Sequence, residues 1–183
     1  MLNKNYIIQS TLDQVLNTVN KYGSIQLHSF FDEKFYSNIL IKISKIKLKK
    51  FYNPSLFSYK SVDFNDSEII NIFNNFVIDL FGKKLILKSA KLFCFEYCDY
   101  FLLNDKINEI KGLKVILELT DKWNNLSNGY NSFVQENQEV LRVNSVRNSV
   151  TILKTSKDMK SFFKYINHLA LKDKRMFLEF FYV

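Results

Sequence analysis

The feature that most limits how this chain can fold is a change of apolar period at Gly82. Before it, residues 66–81 (DSEIINIFNNFVIDLF) place Ile69, Ile72, Phe73, Phe76, Val77 and Leu80 at three- and four-residue spacing, one apolar stripe of a helix. Asp66 or Ser67 suits the N-cap, Glu68 suits the positive helix end, and Gly82 suits the stop. After Gly82 the period shortens. Val, Ile, Phe and Tyr fill short runs at 84–87, 91–97, 100–103, 114–119, 132–133, 140–143, 149–153 and 176–183, separated by polar or glycine-containing turns. Helices first and about eight strands after predict an α+β chain whose β part is a sandwich or an eight-stranded jelly-roll barrel.

The front half supports that order. Leu12, Val15, Leu16 and Val19 predict a helix over 11–22, with Thr11 as N-cap and Gly23 as its end. Ile25 and Leu27 alternate within a strand over 24–30. Asp32 then caps a second helix with Phe35, Ile39 and Ile43 on its apolar face. Residues 51–63, with the sole proline at Pro54, read as irregular. No linker and no long repeat divides the chain, so the expectation is one domain over 1–183, mainly helical over 1–82 and β over 83–183.

Composition excludes several classes. One proline and four glycines in 183 residues exclude collagen-like and low-complexity chains. The formal net charge of +8 admits nucleic acid, anionic lipid or an acidic substrate as partners. The lysines are scattered, however, and the densest group is 42–50 (KISKIKLKK). The N-terminal stretch has no apolar signal region, and no apolar run approaches the roughly 18 residues of a membrane helix, so a soluble cytoplasmic protein without a membrane partner is expected. Cys94 and Cys98 form a single CxxxC pair, too few ligands for structural zinc. In an extended segment they would share a face roughly 13 Å apart, too far to pair with each other.

The order of features in the β half resembles the prolyl-4-hydroxylase-like iron(II)/2-oxoglutarate dioxygenases. The residues that carry the resemblance are 97–106 (YCDYFLLNDK), 115–123 (VILELTDKW) with Asn128-Gly129-Tyr130, 139–143 (EVLRV), 147–153 (RNSVTIL) and 174–183 (KRMFLEFFYV). It covers roughly 92–183, with a weaker match in the strand and helix that follow Tyr22. It implies an α+β fold with a double-stranded β-helix core, jelly-roll and cupin-like, and N-terminal helices packed on it. It also implies iron(II) held by two histidines and a carboxylate, with an arginine or lysine pairing the far carboxylate of 2-oxoglutarate.

At those positions this chain departs from the family. The first histidine position falls on Asn104 and the carboxylate position on Lys106. The distal histidine position falls on Lys164, or on Phe163 in a shifted register. Arg175 matches the arginine for 2-oxoglutarate, but the serine two residues later is Phe177, a ring where that ligand should sit. A repaired metal site would draw on Asp105, Glu109 or His168; His28 lies outside the motif. The expectation is therefore no catalytic residues and no metal, with iron(II) and 2-oxoglutarate as cofactors only if a non-standard site exists. Arg175 is either an anion-binding residue or the ion-pair partner of Glu118 or Glu179, and Lys106 with Lys164 either line an anion site or are solvated. Trp123 and Tyr130 are expected to pack over a hairpin.

Three functions follow: a degenerate, non-catalytic binding or accessory module, an active 2-oxoglutarate-dependent hydroxylase, and an anionic-polymer or nucleic-acid binder using 42–50. The first implies a protein partner or a small anionic ligand. The aromatic run 177–183 is expected either to pack in the barrel or to support a homodimer.

Overall fold

Three helices form where apolar stripes predict them: α1 (Gln9–Tyr22), α2 (Glu33–Ser44) and α3 (Ser67–Phe81). These come from a computed structural model that describes residues 1–82, 85–103 and 111–183. Asp32 caps α2 by accepting from the Phe35 N–H at 2.8 Å, and Asp66 caps α3 by accepting from the Ile69 N–H at 3.1 Å. The choice between Asp66 and Ser67 is thereby made. α1 begins earlier than its stripe suggests. The Ile8 carbonyl accepts from the N–H groups of Thr11 and Leu12, so Thr11 lies inside the first turn and is not the cap. Gly23 ends α1, and Gly82 ends α3 at φ +63°, a left-handed conformation that glycine adopts without steric penalty.

The strands are β1 (Ser24–Leu27), β2 (Lys49–Asn53), β3 (Phe57–Asp63), β4 (Leu87–Phe95), β5 (Tyr100–Phe101) and β6 (Gly112–Glu118). They continue with β7 (Asn131–Gln135), β8 (Gln138–Val143), β9 (Val150–Thr155), β10 (Lys160–Phe163) and β11 (Arg175–Tyr182). All pair antiparallel in the order β1-β9-β6-β11-β4-β3-β5-β10-β7-β8, with β2 on β3, as a nearly closed barrel. β3 turns the corner: Lys60 to Asp63 pair with β4, whereas Phe57 and Ser58 pair with β5. The α+β jelly-roll expectation holds.

Several local expectations need correction. Residues 51–63 are not irregular: they lie in the β2–β3 hairpin, with Pro54 in its turn, where a missing N–H is harmless. The front half therefore supplies barrel strands as well as helices. The strand over 24–30 stops at Leu27, and the run at 84–87 forms no strand of its own among the described residues, since Leu87 opens β4. β10 was not foreseen, because its four residues are too short to show a period. The 177–183 run lies in β11, hydrogen-bonded to β4 on one side and β6 on the other, so it presents no free edge.

Strand alternation creates two cores. Leu113, Val115 and Leu117 of β6 and Leu178, Phe180 and Tyr182 of β11 face the helices. There they meet Val15 and Val19 of α1, Ile39 of α2, and Phe73, Phe76 and Val77 of α3. The opposite face turns inward. Phe95, Ile116, Phe133, Val143, Leu153, Phe163 and Phe177 form a second core, drawn from both halves of the barrel. Among the described residues no helix is long and apolar enough to cross a membrane.

Candidate functional site: an aromatic barrel interior with two ion pairs

β6 and β11 are neighbours, and the same alternation points Lys114, Ile116 and Glu118 inward beside Arg175, Phe177 and Glu179. Glu118 lies opposite Phe177 and Ile116 opposite Glu179 in the register. Each acid thus meets a base on the diagonal. Arg175 Nη2 lies 2.9 Å and Nε 3.2 Å from Glu118 Oε2. Lys114 Nζ lies 3.2 Å from Glu179 Oε2.

The deeper pair is fully enclosed, with side chains 0% and 2% exposed. Both groups have further partners. Arg175 Nη1 donates to the Gly129 carbonyl, while Glu118 Oε1 accepts from Thr120 Oγ1 at 2.6 Å and Ser145 Oγ at 3.1 Å. The guanidinium carbon sits 5.5 Å from the Phe163 ring centre and 5.6 Å from that of Phe177. Gly129 makes the third contact possible. Its φ is +64°, and a Cβ there would stand 2.8 Å from both Ile166 and Trp123. Trp123 Nε1 in turn donates to the Asn128 carbonyl, so the indole is tied to the β6–β7 connection, which is not a hairpin because those strands pair with other partners. Tyr130 packs edge-on to Phe162 and under the Arg142 guanidinium.

Beside this pair lies a cavity of about 250 Å³, lined by Tyr59, Phe93, Phe95, Phe133, Phe177, Asn131 and the Lys114–Glu179 pair. Phe177 stacks on Phe93 at 5.3 Å and on Phe95 at 5.9 Å, and Phe163 also stacks on Phe95. The ring at 177 therefore does fill interior space next to Arg175.

The residues singled out in the sequence separate. Arg175 is the buried ion-pair partner of Glu118 and not of Glu179. Phe163 is buried and faces inward, whereas Lys164 is exposed and lines a different, surface hollow with Tyr100 and Tyr165. Asn104, Asp105, Lys106 and Glu109 lie outside the described residues. His168 is exposed in a short turn (His168–Ala170), and His28 is exposed after β1. Cys94 is buried and Cys98 exposed. The extended-face reading fails because β4 ends at Phe95 and Cys98 turns at φ +69°. Asp99 accepts from Ser58 and Lys50, and Lys42 bridges Asp66 and Glu68, which ties two of the 42–50 lysines into the structure.

The residues missed from the sequence are Lys114 and Asn131. Their signal was a lone lysine in the otherwise apolar run LKVIL and a polar residue opening β7.

Iron(II) and 2-oxoglutarate need two imidazoles, a carboxylate and a free guanidinium or ammonium in one place. Among the described residues no group of three or more His, Cys, Asp or Glu side chains is placed to hold a metal. Of the aligned positions, Asn104 and Lys106 lie outside the described residues, Phe163 and Lys164 carry neither an imidazole nor a carboxylate, and Arg175 is paired with Glu118.

Local electrostatics are otherwise those of structural pairs. Burial pushes the Cys94 thiol up to about 11. Burial also opposes ionisation of Glu96, but hydrogen bonds from Lys174 and Lys60 outweigh it and hold the carboxyl below the usual range. A depressed folded-state pKa stabilises above the unfolded value and is lost as pH falls through it. The thermal unfolding midpoint is therefore expected to be flat near neutrality and to fall below about pH 4.5. In the Glu96→Gln variant the part of that fall due to this pair should disappear; an unchanged profile would show that the pair contributes nothing.

No protein-family model and no curated protein sequence matches the chain. Solved structures do. A Pseudomonas putida prolyl-4-hydroxylase is 8% identical, with 93% of this chain and 97% of that chain covered at a TM-score of 0.73. A Trichoplax adhaerens prolyl hydroxylase, solved with a hypoxia-inducible-factor peptide, is 12% identical, with 98% and 90% covered at a TM-score of 0.75. HygX from Streptomyces hygroscopicus, solved with nickel, 2-oxoglutarate and hygromycin B, is 11% identical, with 92% and 86% covered at a TM-score of 0.67. The chain therefore has the jelly-roll fold of the prolyl-4-hydroxylases and related 2-oxoglutarate/iron(II) oxygenases.

Proposed function

We propose that this chain is a non-catalytic binding or accessory module built on the oxygenase scaffold. One observation carries the reading. Arg175, which stands where the resemblance puts the 2-oxoglutarate arginine, is enclosed by Glu118, the Gly129 carbonyl and two phenylalanine rings. An incoming dicarboxylate would have to displace Glu118 and leave that carboxylate buried without its charge partner, a large penalty. Exposed Lys164 and inward Phe163 at the distal ligand position support the same reading.

Calorimetric titration tests it. Manganese(II) with 2-oxoglutarate, added without oxygen, is expected to give no saturable heat up to about 1 mM, where binding free energy falls to about 4 kcal/mol. Saturable binding in the micromolar range would overturn the proposal.

The likeness to HygX, solved with nickel and 2-oxoglutarate, favours one second reading: an active oxygenase whose ligands include residues of 104–110. It requires succinate release from 2-oxoglutarate with iron(II) and oxygen, and absence of turnover would end it. A role in binding nucleic acid has less support, since Lys42 and Lys50 are held in ion pairs.

A further inference from the structure

We propose that the barrel cavity binds a small neutral phenol, one aromatic ring carrying a hydroxyl group. This deepens the reading of the barrel as a non-catalytic binding site and rests on it.

The walls decide the ring. The cavity of about 250 Å³ is bounded by Tyr59, Phe93, Phe95, Phe133 and Phe177. That volume is below the range typical of drug-sized ligands, so it suits a single ring. Flat aromatic walls favour an aromatic guest through offset stacking and edge contacts.

The polar groups decide the substituent. Lys114 and Glu179 stand in the cavity with side chains 12% and 23% exposed, which gives it an opening to solvent. Asn131 also lines it, 8% exposed. Fold stability does not account for these groups. A largely buried ion pair is often no better than well-packed apolar side chains. A few polar groups converging in an apolar cavity are what orients a ligand. Glu179 can only accept, while Lys114 can only donate. A hydroxyl both donates and accepts, so it serves the two kinds of group together. An anion would meet Glu179 and a cation would meet Lys114, each repelled where water screens little. The neutral hydroxyl avoids both.

Ligand-observed NMR titration with p-cresol, toluene and benzyltrimethylammonium tests the assignment. p-Cresol is expected to bind with a Kd of about 1 mM or tighter. Toluene should bind about tenfold more weakly, the loss of one hydrogen bond. The double variant Lys114→Met/Glu179→Met exchanges the pair for apolar side chains and should still fold, as a thermal melt checks. In it the preference for p-cresol over toluene should vanish. Four results would overturn the proposal: no p-cresol binding, equal binding of toluene, preference for the ammonium compound, or undiminished selectivity in the double variant. The manganese and 2-oxoglutarate titration is read separately. If that titration is silent and p-cresol fails, only the phenol assignment falls. If 2-oxoglutarate binds, the non-catalytic reading falls.

Discussion

Replacing Glu118 by leucine is expected to lower the unfolding free energy by about 3–5 kcal/mol, the penalty of leaving a buried charge without its partner. Arg175 is fully enclosed and its guanidinium has one charged neighbour within ion-pair distance among the described residues, Glu118. The Gly129 carbonyl and the two phenylalanine faces remain in the variant, but they supply no full negative charge. The loss extends beyond one pair, because Thr120 and Ser145 also donate to Glu118. Replacing both residues, Glu118→Leu with Arg175→Met, should recover most of the stability, since apolar side chains of similar volume are often neutral or better in place of a buried pair. Urea unfolding of the three variants measures this. A single-variant loss below about 1 kcal/mol would show that water reaches Arg175, contrary to the enclosed geometry. The same experiment bears on function. If Arg175 is a structural group, its pair should set stability while 2-oxoglutarate affinity stays absent in every variant.

The second large effect concerns the helices. Phe73→Ala is expected to destabilise by about 3–5 kcal/mol, the range for emptying a buried phenylalanine site. Phe73 of α3 is fully buried and lies 4.4 Å, centre to centre, from Phe180 of β11 and 5.7 Å from Phe30. It joins the central strand of the barrel to the helical layer, and the rigid sheet behind Phe180 cannot collapse into the gap. Phe73→Leu retains most of the volume and should cost less. Guanidinium unfolding distinguishes them: similar losses for both would mean that the ring stacking matters more than the volume.

The helices were legible because their signals are local. The stripe over 66–81, the aspartates at 32 and 66 and the glycines at 23 and 82 each act within a few residues of themselves, and each appears where expected. The order of strands was legible for a similar reason, since β-rich runs bounded by turns mark strands wherever they pair. The β2–β3 hairpin and β10 were not. Lys49 to Asn53 is mostly exposed and β10 has only four residues, so neither carries a buried face long enough to read. β3 and β10 pair with residues far along the chain, Phe93 and Cys94 for β3 and Ser132 and Phe133 for β10, and β2 follows by pairing with β3.

The candidate site divides the same way. Arg175 and Phe177 were named from the sequence, as was Glu118 among two choices of partner. What only the tertiary structure decided is which acid meets which base. Glu118 and Glu179 lie on one inward face of adjacent strands, and the register of β6 against β11 brings Glu118 to Arg175 and Lys114 to Glu179. Register is a long-range property, set by the apolar residues buried on the opposite face. Sequence alone therefore determined the helix stops and the strand-rich half. The pairing of the inward charges, and the aromatic cavity they share, required strands distant in the chain to be brought side by side.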